Sequence, residues 1–195
     1  MLMTGKDPAV DIAVCLLDRT DSRERGLVDQ LLRLINDAYR TAEHGLWRDG
    51  AARTTAAELA ELVAAGQIVI ARRAVGIVGC VRLRDVAEDT SEFGMLVADS
   101  DQRGTGVGRA LVDFAERHSR ERGLRAMQLE LLVPRDWSHP DKEFLKSWYT
   151  RMGYQLIGTR RIDDAYPHVT PLLATPCDLT VYEKSLQQGA DCAVG

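Results

Sequence analysis

The stretch Gln102-Arg103-Gly104-Thr105-Gly106-Val107-Gly108-Arg109 carries the most information about the fold of this chain. It follows a run of β-forming residues and precedes a segment of helical periodicity, so we predict a loop that opens a helix. Its glycines permit a tight turn, and the first amides of a helix have no partner inside the helix. Such amides favour a phosphate or pyrophosphate. On the glycines alone, a purely structural turn is the alternative.

Two common nucleotide-binding patterns fit this loop poorly. A P-loop ends in Gly-Lys-Ser/Thr, whereas this loop ends in Gly108-Arg109-Ala110. A Rossmann fingerprint is Gly-x-Gly-x-x-Gly after the first strand of a parallel sheet. Here the spacing is Gly-x-Gly-x-Gly, in mid-chain, after runs so close in sequence that they are expected to pair antiparallel. A Rossmann-type oxidoreductase is therefore the weakest functional alternative.

Hydrophobic periodicity predicts an α/β fold in one domain over 1–195. The predicted helices cover about 22–44, 54–66, 106–122 and 141–152. The predicted strands cover about 12–17, 67–74, 77–86, 91–98, 127–133, 154–162 and 179–186. We expect a core over 12–186, a loop rich in proline over 163–176, and a frayed tail over 187–195.

Two local patterns refine the predicted helices. Thr55 and Glu58 form a capping-box sequence at the start of the second helix. The apolar stripe of the third helix is predicted to consist of Val107, Leu111, Phe114 and His118.

Composition excludes several classes of function. The 195 residues carry a net charge of -4 and are 45% hydrophobic, which is typical of a globular domain and disfavours a nucleic-acid coat or a polybasic membrane binder.

The four cysteines form no Cys-x-x-Cys pair, so we expect reduced thiols. The four histidines lack metal-ligand spacing, and we expect no metal. No signal peptide or apolar span is evident, which favours a cytoplasmic protein.

Two segments resemble the signatures of a known family. Arg103-Gly104-Thr105-Gly106-Val107-Gly108 resembles the Arg/Gln-x-x-Gly-x-Gly/Ala motif of the GNAT superfamily of N-acetyltransferases. Ser147-Trp148-Tyr149-Thr150-Arg151-Met152-Gly153-Tyr154 resembles its second signature, an aromatic-Tyr pair followed by Gly-Phe/Tyr at the start of the sixth strand. The order of elements is similar from about residue 12 to 186. The resemblance implies a mixed, mostly antiparallel sheet with a splayed central strand pair, flanked by about four helices.

The same resemblance implies acetyl-CoA as the acyl donor. Its pyrophosphate would lie on the amides of Arg103, Gly104, Thr105, Gly106, Val107, Gly108 and Arg109. Its pantetheine arm would enter between the splayed strands and pair with the backbone of Leu96, Val97 and Ala98. One departure concerns Lys142, which falls near the position where the family often has an asparagine that touches this arm.

Candidate catalytic residues follow from the matching positions. Tyr149 corresponds to the tyrosine of the second signature and would act as the general acid that protonates the thiolate; a core aromatic is the alternative. Glu92, at the start of the fourth strand, would act as the general base; an exposed carboxylate at a strand end is the alternative. Glu92 and Phe93 are expected on opposite faces of the sheet.

The sequence identifies the acceptor less clearly than the acetyl donor. In the family the acceptor pocket lies between the turn after the first helix and the loop before the last strand, which suggests Glu43, Trp47 and Tyr166 as ligands of an ammonium group, each with a surface or packing role as the alternative. The implied function is acetyl transfer to a primary amine of a small molecule, by direct attack in a ternary complex. A protein or peptide amine, a non-catalytic acyl-CoA sensor and a homodimer all stay open.

Overall fold

The computed structural model describes residues 12–187. Its strands are β1 (Ala13–Leu16), β2 (Ile68–Arg73), β3 (Gly76–Ala87), β4 (Thr90–Ala98), β5 (Ala126–Pro134), β6 (Gln155–Arg161) and β7 (Cys177–Ser185). They form one seven-stranded sheet in the order β1-β2-β3-β4-β5-β7-β6. The β4–β5 pair is parallel and the other pairs are antiparallel. This confirms the predicted α/β class. Cys192 and most of the predicted tail lie outside the described residues.

The helices are α1 (Arg25–Ala42), α2 (Ala56–Ala64), α3 (Val107–Glu121), α4 (Pro140–Arg151) and the short α5 (Ile162–Ala165). The capping box at Thr55 and Glu58 is confirmed. The first helix begins three residues later than predicted, because Asp18 caps a 3-10 turn over Arg19–Arg23. The segment 163–176 is not wholly irregular, since it includes most of α5 and a 3-10 turn over Thr170–Leu172.

The two faces of the sheet carry different helices. On the first, called the α1 face, α1 and α2 pack on a cluster that includes Ile70, Met95 and Val97. On the second, called the α3 face, α3 and α4 pack on a cluster that includes Phe93 and Leu129. Both faces are therefore covered over the centre of the sheet, as burial of an α/β sheet requires.

The apolar stripe predicted for α3 was partly wrong. The buried residues of α3 are Val107, Leu111, Val112, Ala115, Glu116 and Ser119. Phe114 and His118 are only partly buried, and their rings stack at a centroid distance of 5.8 Å. The helix is rotated so that small side chains face the sheet, which allows a closer approach than Phe114 would permit.

The pairing between β4 and β5 is short. It joins Thr90–Glu92 to Ala126–Gln128 and ends there. Next along β4, Met95 has a φ of 50°, the one positive φ among the described residues other than glycine, and the register with β3 is irregular at this point. Phe93 and Met95 would share a face in a regular strand, yet they pack on opposite faces. A β-bulge therefore lies here, and the central strands splay beyond it, as predicted.

Gly79 fixes how closely α3 approaches the sheet. It pairs with Ala98 at the end of β4. A Cβ at Gly79 would lie 2.7 Å from the Val97 carbonyl oxygen and 2.7 Å from Val107 Cγ1. Glycine is therefore required for the contact between β3, β4 and the first turn of α3.

Gly79→Ala is expected to lower the free energy of unfolding by about 1–3 kcal/mol, because the backbone oxygen of Val97 must move to admit the methyl group. Gly26→Ala is the matched control, since a Cβ at Gly26 meets nothing within 4 Å and alanine favours a helix. Chemical denaturation of the two variants measures the difference. Equal stability of both would show that the approach of α3 does not depend on Gly79.

Candidate active site

The glycine loop between β4 and α3 presents unbonded backbone amides. Gly104 and Gly106 have φ values of 75° and 89°, in the left-handed region that favours glycine. No atom lies within 4 Å of where their Cβ atoms would be, so the surface of the loop is open. Within residues 12–187, no hydrogen bond is donated by the amides of Gly104, Gly106, Val107, Gly108 and Arg109. With the helix dipole, these amides suit an anion.

Arg73, at the end of β2, holds this loop through two hydrogen bonds. Its Nη1 donates to the side-chain oxygen of Gln102, and its Nη2 donates to the Thr105 carbonyl at 3.1 Å. Its Nε is buried, with no partner among the described residues. Sequence reasoning missed Arg73, because nothing near it in the chain marks a contact 29 to 32 residues away.

Tyr149 lies on the α3 face beside the splayed strands. The residue is 5% exposed, and its ring centroid lies 5.9 Å from that of Phe93 and 6.0 Å from that of Tyr154. Its hydroxyl makes no hydrogen bond with the described residues. Burial raises the pKa of Tyr149, and the nearby Tyr39 raises it further. The phenol therefore stays protonated at neutral pH and has its proton free for a ligand.

Trp148 connects the helix of Tyr149 to the glycine loop. Its ring lies 3.7 Å from the position that a Cβ would take at Gly108, and its centroid is 5.1 Å from that of Tyr149. The contacts of Trp148 with Gly108 and Tyr149 thus keep the open amides and the Tyr149 side chain on the same side of the sheet.

Glu92 lies on the α1 face, opposite Tyr149. Its Oε1 accepts hydrogen bonds from Arg84 Nε at 2.8 Å and pairs with Arg84 Nη2 at 2.7 Å. Burial raises the pKa of Glu92, and Arg84 opposes part of that rise. An open cleft of about 500 Å³ lies beside it, lined by polar groups that include Gln128, Arg160 and Tyr166. The Tyr166 hydroxyl donates to Glu130 at 2.7 Å.

Glu43 and Trp47 are engaged within the protein. The Glu43 carboxylate accepts from Lys142 Nζ and from the Trp47 indole N–H. The side chains of Lys142 and Glu43 are 4% and 6% exposed. The guanidinium of Arg53 lies 6.0 Å from the centre of the Trp47 ring. Their role as substrate ligands stays a prediction, and in this structure cations of the chain already occupy the carboxylate and the ring.

Three further features of the described part of the chain concern metal ligands, reactive thiols and membrane-spanning helices. Residues 12–187 contain no group of three or more His, Cys, Asp or Glu arranged to hold a metal ion. Burial raises the pKa of the Cys80 thiol to about 12 and that of Cys177 to about 11, which disfavours the reactive thiolate form. Over the same residues, no helix combines the length and apolar character needed to cross a membrane.

Comparison with known proteins supports the signatures in the sequence. Residues 64–156 match the family model described as the acetyltransferase (GNAT) domain. This part of the chain therefore contains a GNAT acetyltransferase domain. The matched region contains β2 to α4, the glycine loop, Glu92 and Tyr149, so it holds most of the candidate active site. No protein of curated function matches the sequence.

Solved structures extend the likeness to nearly the whole chain. An aminoglycoside 6'-N-acetyltransferase complexed with coenzyme A is 17% identical, with a TM-score of 0.66 over 92% of this chain and 99% of that one. The PaiA N-acetyltransferase of Thermoplasma acidophilum, in complex with coenzyme A, is 14% identical, with a TM-score of 0.66 over 90% and 99%. The Salmonella typhimurium yncA protein with its cofactor acetyl-CoA is 13% identical, with a TM-score of 0.63 over 95% and 99%. At these identities the likeness concerns the fold alone.

The buried pair of Lys142 and Glu43 is expected to contribute to stability. Lys142→Met leaves the Glu43 carboxylate in the interior without its closest cation, so we expect the free energy of unfolding to fall by about 3 kcal/mol. The double variant Lys142→Met/Glu43→Gln removes that charge and should recover at least half of the loss. Lys146→Met, one turn later on α4, is the control and should change stability by less than about 1 kcal/mol, because its pair with Glu143 is more exposed. Wild-type stability of Lys142→Met on denaturation would contradict this role.

Proposed function

We propose that this protein is an acetyl-CoA-dependent N-acetyltransferase that acetylates a primary amine of a small molecule by direct attack in a ternary complex. One observation carries the proposal. The open glycine loop, with its unbonded amides, adjoins a central strand that loses its neighbour after Glu92. An anion-binding loop beside free strand backbone is suited to a ligand that has both a pyrophosphate and an amide-containing arm.

Binding of the donor would use backbone more than side chains. The unbonded amides of Gly104 and of residues 106–109 would hold the pyrophosphate, whereas the predicted amides of Arg103 and Thr105 already donate to the carbonyls of Ser100 and Gln102. Arg73 would keep the loop in place and add positive charge below it. Because β4 has no strand partner on its β5 side after Glu92, the backbone of Leu96 to Ala98 is free to pair with the amides of the pantetheine arm. The Arg103 side chain is 77% exposed beside Asp141 and can turn toward a phosphate.

The two faces of the sheet would supply the two substrates. The loop and Tyr149 belong to the α3 face, so the donor would approach from that side. Glu92 and the polar cleft belong to the α1 face, so the acceptor would approach from the other. The thioester and the amine would then meet at the splay, where alignment of the two reactants supplies much of the rate.

Each proton would have an acceptor or a donor. The amine nitrogen attacks the thioester carbonyl, and the C–S bond breaks as the amide forms. Glu92 would take the proton that the ammonium loses, directly or through water, and its raised pKa makes it a better base than an ordinary carboxylate. Tyr149 would give its proton to the departing thiolate, and the second proton that the nitrogen loses as the amide forms would restore the phenol. A free N–H of β4 near the Met95 bulge would donate to the developing oxyanion.

Donor binding is tested with a charge placed inside the loop. A Cβ at Gly108 makes ordinary contact with Trp148, and a carboxylate in the first turn favours the helix dipole. Gly108→Asp should therefore keep the fold yet weaken CoA affinity by tenfold or more, whereas Gly108→Ala, the uncharged control, should lose much less.

Calorimetric titration and thermal shift with CoA, acetyl-CoA and NAD(P) measure this effect, because a ligand of the native state raises its stability. Stabilisation by NAD(P) but not by CoA would overturn the proposed function. Equal CoA affinity of Gly108→Asp and Gly108→Ala would displace the pyrophosphate from the loop.

The role of Tyr149 is tested by Tyr149→Phe, which removes the hydroxyl and keeps the buried ring. We expect kcat to fall by about a hundredfold, in the range of general acid catalysis, with little change in CoA affinity. Release of CoA thiol across a panel of amines measures kcat. Unchanged turnover would exclude Tyr149 as the acid, and CoA binding without transfer by the wild-type protein would favour a sensor.

A further inference from the structure

Arg82 lies on the α1 face and has no counter-ion within residues 12–187. It lies on β3 directly across from Gly94 of β4, between Val81 and Leu83, which point to the other face. Its Nε donates to Gln67 Oε1 at 2.8 Å. Among residues 12–187, its two terminal nitrogens donate no hydrogen bond, and no carboxylate lies within 4.0 Å. Its neighbours differ, since Arg84 pairs with Glu92 and Arg160 pairs with Glu130.

Two further arginines, Arg84 and Arg53, act on the charge of Arg82. Burial lowers the pKa of Arg82, Arg84 lowers it further, and Arg53 adds a smaller effect of the same sign, while Glu92 and Tyr166 oppose them. Arg53 also has no carboxylate within 4.0 Å in the described chain, and its guanidinium lies 5.0 Å from the centre of the Tyr39 ring. Half-buried like charges at short range are unfavourable, so a bound anion would relieve repulsion at this place.

The space beside Arg82 is open and well placed. No atom lies within 4 Å of where a Cβ would be at Gly94. Gly94 stands between Glu92 and the Met95 bulge, at the point where β4 leaves β5. A molecule lying over Gly94 would therefore touch Arg82 while its amine lay between Glu92 and the splayed strands.

We propose that the acceptor amine carries a carboxylate, which the free terminal nitrogens of Arg82 bind with support from Arg53, so that the acceptor is an amino acid or a similar small amino acid-like molecule. This inference rests on the proposed function and adds the class of acceptor to it. A guanidinium matches a carboxylate with two parallel hydrogen bonds, which fixes orientation as well as position. Held in this way, the amine is directed toward Glu92.

The same charges disfavour a polycationic acceptor. The carboxylates of Glu92, Glu130 and Glu43 are each paired with a cation of the chain. A polyamine or an aminoglycoside bound over Gly94 would bring its own positive charges beside Arg82 and Arg53. Like-charge contacts of this kind reject a ligand more strongly than a missing contact does.

Acetyl transfer to matched pairs of amines tests the proposal. Each pair consists of an amino acid and the amide of the same amino acid, with kcat/KM referred to the unprotonated amine so that the different amine pKa values do not bias the comparison. We expect a preference of tenfold or more for the acids. Spermidine and an aminoglycoside serve as polycations and should be the poorest acceptors.

Variants then assign the preference to Arg82. Arg82→Gln should raise KM for the acids by about tenfold, which is the loss expected for a hydrogen bond to a charged group. It should leave KM for the amides and for acetyl-CoA unchanged. Arg82→Lys keeps the positive charge but lacks the two parallel N–H donors of a guanidinium, so it should retain only part of the affinity for the acids. Arg72→Gln, at an exposed arginine of β2, is the matched control.

Binding separates failure of this inference from failure of the proposed function. Equilibrium binding of N-acetylated amino acids and their amides is measured on the protein with and without CoA. A tighter binding of the acids that is lost in Arg82→Gln supports the inference even if no transfer occurs. Equal use and equal binding of acids and amides, or a preference for polycations, would overturn it. Absence of CoA binding would overturn the proposed function instead.

Discussion

The hydrogen bonding between β4 and β5 ends at Glu92, and most of the candidate active site depends on this early end. A parallel pair that continued to Ala98 would use the backbone groups that now face an open gap. The bulge at Met95 reverses which side chains face α1 and which face α3, and so bends the strand away from its neighbour.

Close packing on the α3 face keeps the amide-rich loop beside this gap. Gly79 lets the first turn of α3 approach β3 and β4, and Trp148 packs at Gly108 from the other side. Arg73 then fixes the outer part of the loop through a side chain and a carbonyl. The open glycines are therefore exposed on a rigid support, which reduces the entropy that ligand binding must overcome.

Charge is distributed unevenly on the α1 face. The carboxylates of Glu92, Glu43 and Glu130 are paired with arginine or lysine, while Arg82 and Arg53 have no such partner in the described chain. The net charge of -4 is thus a poor guide to this face, because local pairing decides which charges a ligand meets. Burial strengthens the interaction between these charges and a ligand, because charges that are partly removed from water interact more strongly at a given distance.

The sequence by itself determined the elements and the loop. Periodicity, the capping box at Thr55 and the glycine spacing are properties of residues near one another in the chain, and together with the signature around Tyr149 they were sufficient for the α/β class and the family. Tertiary structure alone decided the rotation of α3, the contacts of Arg73 with the loop, the pairing of Glu43 with Lys142 and, among the described residues, the lack of a carboxylate partner for Arg82. These depend on strand register and helix packing, which bring together residues up to 99 positions apart. Such contacts cannot be predicted from residues that are neighbours in the chain, because a shift of one residue in strand register would give each of these charges a different neighbour.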